Sequence, residues 1–134
     1  MTKYGSGMLP GMILAAGLGT RLRPLTDVRP KPLVPVGDAT VLAHAVRGLR
    51  GAGVDRLVVN AHHLPLALRD AALHLGVEIS AEAELLGTAG GVARARDRLG
   101  EGPVVIWNGD VVADVDVAGL RAAHERRAPE ATLV

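Results

Sequence analysis

The sequence predicts an α/β fold, a doubly wound and mainly parallel sheet with strand order 3-2-1-4. Three observations predict it. Short apolar segments alternate along the chain with amphipathic segments at helical spacing. Glycine closes the helical segments at Gly53, Gly76 and Gly100. Crossovers between parallel strands are right-handed, which leaves few ways to stack such units. In this order the first and fourth strands are neighbours, and the chain reverses direction across the sheet between them. Ligands of open α/β sheets bind at the carboxyl ends of strands at such a point.

The elements follow in order. Met1 to Pro10 reads as a flexible leader, short and without an apolar signal core, and residues 11–134 as one unit. Gly11 to Ala15 is a buried strand that runs into a glycine-containing turn. Thr40 caps a helix from Val41 to about Ala52, whose residues Val41, Leu42, Ala45, Val46, Leu49 and Ala52 share one face. Arg56 to Asn60 is the second strand. Pro65 suits a first helical turn, and Leu66 to Leu75 forms the second helix. Val77 to Ala81 is the third strand and Thr88 to Leu99 the third helix. Pro103 to Trp107 is a fourth strand, the most hydrophobic of the set. Asp116 caps a last helix to about Arg127, and Ala131 to Val134 begins a fifth strand.

Composition narrows the function. The chain has 134 residues, enough for one domain with its own core, and is 49% hydrophobic. A formal charge of +1 gives no sign of bulk nucleic-acid or membrane binding. No apolar run reaches the roughly 20 residues of a membrane span. There is no cysteine, hence no disulfide framework, and a cytoplasmic location is the expectation. Arginine supplies 13 of the 15 basic residues; the two lysines are Lys3, in the leader, and Lys31. In a chain that otherwise uses arginine, Lys31 invites a chemical role, with a solvated surface lysine as the alternative.

The turn after the first strand carries that chemistry. Gly17 and Gly19 let the backbone take positive φ and approach a ligand closely. Free N–H groups in such a turn form a concavity for anions. Arg21 adds a planar cationic fork and Lys31 a point charge. The unit is suited to a polyphosphate. Asp110, behind a glycine at the end of the fourth strand, meets the same crevice by topology. A hard carboxylate there suits Mg²⁺, which takes one or two carboxylates plus substrate phosphates. The alternative is an aspartate in an ordinary turn. A dinucleotide site does not fit. The third glycine would stand at Leu22, and no acidic residue follows about 20 residues on. The Walker A spacing is absent too. The pair His62-His63 is a poor metal site, since adjacent side chains diverge and no cysteine assists.

Three motifs together, Leu14-Ala15-Ala16-Gly17-Leu18-Gly19-Thr20-Arg21-Leu22 with Pro30-Lys31-Pro32-Leu33, Leu86-Gly87-Thr88-Ala89-Gly90-Gly91, and Asn108-Gly109-Asp110, resemble the sugar-1-phosphate nucleotidyltransferases. The resemblance covers residues 11 to 134. It implies a Rossmann-like nucleotide-diphospho-sugar transferase fold and attack of a sugar-1-phosphate on the α-phosphorus of an NTP, giving NDP-sugar and pyrophosphate. It implies nucleotide contacts at Leu14, Ala15, Ala16, Gly17, Gly19, Thr20, Gly87 and Thr88, sugar contact at Asn108 and metal binding at Asp110. Arg21 and Lys31 become the catalytic cations, and UTP or GTP the nucleotide. Glu82 and Glu84 precede the second motif where the family reads the base. Glu82 is assigned to the nucleotide, with a solvated loop carboxylate as the alternative. The form of the Gly87 turn resembles the mannose-1-phosphate guanylyltransferase and N-acetylmuramate-1-phosphate uridylyltransferase types.

The resemblance is to the N-terminal half of a typical member, so the sheet is expected to be truncated. A homo-oligomer or a complementary chain is then expected along an open edge. The 134-residue chain alone is expected to show little transferase activity. A nucleotide-binding module without catalysis, or one half of a split enzyme, is the alternative function.

Overall fold

The computed structural model describes residues 8–62 and 65–134. Among the described residues four strands, β1 (Leu9–Leu14), β4 (Val54–Ala61), β5 (Glu78–Ala81) and β6 (Val105–Asn108), form one parallel sheet in the order β5-β4-β1-β6. This is the expected 3-2-1-4 order. A two-stranded antiparallel hairpin, β2 (Pro35–Val36) and β3 (Ala39–Thr40), stands apart from it. The sequence reading did not anticipate it.

Strand β1 starts at Leu9, two residues before its expected start. Leu9 is buried and lies in register with Val54, so Leu9 and Pro10 belong to the sheet rather than to a leader. The register shifts between Leu9 and Pro10, the kind of irregularity at which a residue without an N–H is tolerated. The rest of the expected leader, 1–7, lies outside the described residues, as does His63.

The helices arise where their signals stand. Helix α2 (Val41–Gly51) is capped by Thr40, whose hydroxyl accepts the Ala43 N–H at 3.2 Å. Helix α3 spans Pro65–His74. Helix α6 (Val117–Arg127) is capped by Asp116, which accepts the Gly119 N–H at 2.9 Å. A single turn, α1, covers Leu25–Val28. The long helix expected over 88–99 is instead two, α4 (Gly87–Arg94) and α5 (Arg96–Leu99), divided at Ala95. No strand forms over 131–134. A strand exists only by pairing, and among the described residues 131–134 pair with no strand.

Alternation along the strands sends side chains to both faces. Ile13 and Val59 enter the larger core with Leu42, Val46 and Leu49 of α2 and Leu68 and Ala72 of α3. Met12 and Val58, one residue away, enter a smaller core with Ala95 and Leu99. The sheet is thus covered on both faces, which is why Met12–Leu14 of β1 and Leu57–Val59 of β4 are unbroken apolar runs. Strand β6, at the edge, alternates between half-buried and exposed residues and leaves Ile106 49% exposed. Its high hydrophobicity therefore does not mark full burial.

Candidate functional site: the crevice at the ends of strands β1 and β6

Strand β1 ends at Leu14 beside Asn108 of β6, so the segments that follow diverge from one point. The Gly109 N–H donates to the Leu14 carbonyl at 2.8 Å. A Cβ at position 109 would lie 2.5 Å from that carbonyl oxygen. Only glycine permits this approach, and the approach seats Asp110 over the turn.

After Ala15 and Ala16, both buried, the chain emerges at Gly17. Gly19 has φ +65°, and its carbonyl accepts the Thr26 hydroxyl at 2.7 Å. A Cβ there would lie 2.9 Å from Thr26 Cγ2. Gly19 is therefore fixed by backbone and packing. Gly17 differs from the expectation: its φ is not in the left-handed region, and a Cβ would meet no protein atom within 4 Å. The space beside it opens into a cavity of about 250 Å³.

That cavity is lined by Leu14, Ala15, Gly17, Gly19, Thr20 and Arg21, and by Leu22, Lys31, Pro32 and Asp110 across from them. Residues far apart in sequence thus meet as the topology predicted. Lys31, in a short 3₁₀ turn (Lys31–Leu33), donates from Nζ to Asp110 Oδ2 at 2.6 Å. Both side chains remain partly exposed, at 37% and 45%. The Lys31 hydrogen bond holds the Asp110 carboxyl below the usual carboxylate range, against the opposing effect of partial burial. The Arg21 guanidinium has no hydrogen-bond or ion-pair partner among the described residues. It is exposed at the rim.

Other expected site residues lie elsewhere. Ala16 is buried behind the turn, and Asn108, Gly87 and Thr88 are exposed but do not line this cavity. Glu82 departs most from its expected role. It is 6% exposed, accepts from Asn60 Nδ2 through Oε1 at 2.8 Å, and accepts the Leu86 N–H through Oε2 at 3.3 Å. A carboxylate so engaged on both oxygens is a strut between strand ends rather than an open acceptor. Glu84 is exposed. His62 points a ring nitrogen at the Glu82 carbonyl, 3.1 Å away, and among the described residues no cluster of His, Asp and Glu forms a metal cage. Trp107 packs against the larger core and donates to the Val111 carbonyl at 3.1 Å, in line with a core or wall role. Among the described residues no helix is long and apolar enough to cross a membrane.

Asn60 carries a role that sequence reasoning missed. Its side chain is 3% exposed and accepts the Ala15 N–H at 2.6 Å. The available signal was a polar residue closing the apolar run of β4.

Comparison with known proteins gives the family and the fold. A family model described as nucleotidyl transferase matches residues 10–134. A probable mannose-1-phosphate guanylyltransferase 1 of Oryza sativa subsp. japonica is 38% identical over 135 residues, covering 94% of this chain. A mannose-1-phosphate guanyltransferase of Schizosaccharomyces pombe is 37% identical over 134 residues, again covering 94% of this chain. This chain spans 37% of the length of each of these relatives. The crystal structure of HddC from Yersinia pseudotuberculosis complexed with GMP-PN superimposes with a TM-score of 0.77 at 26% identity, over 87% of this chain and 54% of that one. UDP-glucose pyrophosphorylase from Acinetobacter baumanii shares the fold, with a TM-score of 0.77 at 18% identity over 90% of this chain and 53% of its own. With the model matched across nearly its whole length, the chain belongs to the nucleotidyl transferase family.

Proposed function

We propose that this chain provides the nucleotide side of a sugar-1-phosphate nucleotidyltransferase, with GTP as the nucleotide and mannose-1-phosphate as the sugar phosphate. The observation that carries the reading is the convergence of Lys31, Asp110 and the glycine turn on one cavity. GTP is chosen over UTP because the relatives cited above are named as guanylyltransferases and HddC was solved with GMP-PN.

In this reading the triphosphate lies along the turn, where Gly17 leaves room for it. Arg21, free at the rim, pairs with phosphate oxygens and balances charge as pyrophosphate leaves. Lys31 neutralises the α-phosphate and the incoming sugar phosphate. That nucleophile is already an anion and needs no general base, so orientation and charge balance carry the rate.

The donor set at Asp110 fits Mg²⁺. A single partly exposed carboxylate with no cage around it fits an ion that completes its shell with water and substrate phosphates. Asp110 would hold it. Bound there, Mg²⁺ would supply positive charge to the phosphate oxygens. A cytoplasmic location belongs to the same proposal, consistent with a chain without cysteine.

Competition against a fluorescent nucleotide, run with GTP, UTP, dTTP, CTP and ATP in Mg²⁺, tests the reading. GTP is expected to compete best. A preference for UTP would move the base assignment. Failure of every nucleotide to bind the folded chain would overturn the proposal.

A further inference from the structure

We propose that Asn60 is a positioning residue that holds the phosphate-binding turn and the Glu82–Gly91 turn in fixed relation. The inference rests on the nucleotide reading above, with the triphosphate on the first turn and the base toward the second.

Three segments meet at this one side chain. Asn60 Oδ1 accepts the Ala15 N–H, where β1 gives way to the glycine turn, at 2.6 Å. Asn60 Nδ2 donates to Glu82 Oε1 at 2.8 Å. Glu82 Oε2 in turn accepts the Leu86 N–H at 3.3 Å, one residue before α4 begins. The two partners fix the amide's orientation, since a main-chain N–H needs an acceptor and a carboxylate needs a donor. The amide offers both at once, on separate atoms. Asn60 is 3% and Glu82 6% exposed, so water cannot replace either bond cheaply.

Gly91 completes the junction. A Cβ at that position would stand 2.8 Å from both Asn60 Nδ2 and Glu82 Oε1. Helix α4 can seat against the pair only because nothing projects there. The buried pair therefore sets the spacing of the two turns. One ligand that spans both gains from having them pre-spaced, whereas a ligand touching only the first does not.

The test compares GTP with inorganic triphosphate, both in Mg²⁺, by calorimetry on the 134-residue chain. Asn60→Asp keeps an acceptor for the Ala15 N–H but turns a carboxylate toward Glu82. It is expected to weaken GTP at least about tenfold and triphosphate by less than about threefold. In Asn60→Asp with Glu82→Gln the new amide at 82 donates to the new carboxylate at 60 and still accepts from Leu86. That double variant is expected to regain the wild-type ratio of the two affinities. Equal loss of both affinities in Asn60→Asp, or a double variant that keeps the altered ratio, would overturn the inference. If Asn60→Asp does not fold, the ratio in the double variant decides alone. Failure of the wild type to bind either ligand would instead refute the nucleotide reading itself.

Discussion

Lys31 Nζ lies 2.6 Å from Asp110 Oδ2, although 79 residues separate them in sequence. The pair closes one wall of the cavity beside the glycine turn. It ties a 3₁₀ turn before the hairpin to the end of the edge strand, so two arms of the crevice hold each other. A metal-bound polyphosphate would compete for both groups and part them.

Asp110→Asn is expected to weaken Mg²⁺-dependent nucleotide binding and to leave the fold intact. The substitution removes a charged carboxylate from an exposed strand end and costs an exposed ion pair, worth about 1 kcal/mol or less. Nucleotide titrations with and without Mg²⁺, beside a thermal melt, check this. Unchanged metal dependence would make Asp110 a turn residue.

The same pair gives a pH signature. The Asp110 carboxyl is held below its ordinary value of about 3.9 by Lys31. A depressed folded-state value adds stability that is present above the unfolded value and lost as pH falls through the folded one. Urea unfolding of wild type and Asp110→Asn, taken from about pH 6 down through the ordinary carboxylate range, should show a small difference that shrinks as pH falls. A gap that stays constant would mean the pair does not form in solution.

Gly17 and Gly19 should separate binding from folding. Gly17→Ala adds a methyl where no protein atom lies within 4 Å, so stability should change by only about a few tenths of a kcal/mol. Nucleotide affinity should fall, because the methyl occupies ligand space. Gly19→Ala must hold φ +65° with its Cβ against Thr26 and should destabilise the fold by about 1 kcal/mol or more. Melting temperatures and affinities of both variants check the contrast. A Gly17→Ala protein with wild-type affinity would place the ligand elsewhere.

Leu42 is fully buried between α2 and the sheet, in the core that supports β1. Leu42→Ala should cost about 2–5 kcal/mol in denaturant unfolding. A loss under about 1 kcal/mol would mean that this core repacks.

Much of this was legible in the sequence because local signals agreed with the global fold. Thr40 and Asp116 announced their helices, and alternation of strands with helices fixed the strand order. The convergence of Lys31 and Asp110 followed from that order. Features set by long-range packing were not legible. The break at Ala95 lies within residues 92–99, which hold neither Gly nor Pro, and there Ala95 packs with Met12 and Val58. The hairpin over 35–40 is too short for a periodicity to show. The buried role of Glu82, which the resemblance assigned to the nucleotide, was not legible because its partner, Asn60, is 22 residues away on another strand.

The central claim is that the glycine turn, Lys31 and Asp110 make one polyphosphate site. Calorimetric titration of Mg²⁺ and GTP into the wild-type chain and into Lys31→Ala tests it most directly. The account predicts saturable, Mg²⁺-dependent binding by the wild type, and at least about tenfold weaker binding by a Lys31→Ala chain that melts near the wild-type temperature. Equal affinity in the two proteins, or no binding by a folded wild type, would contradict it.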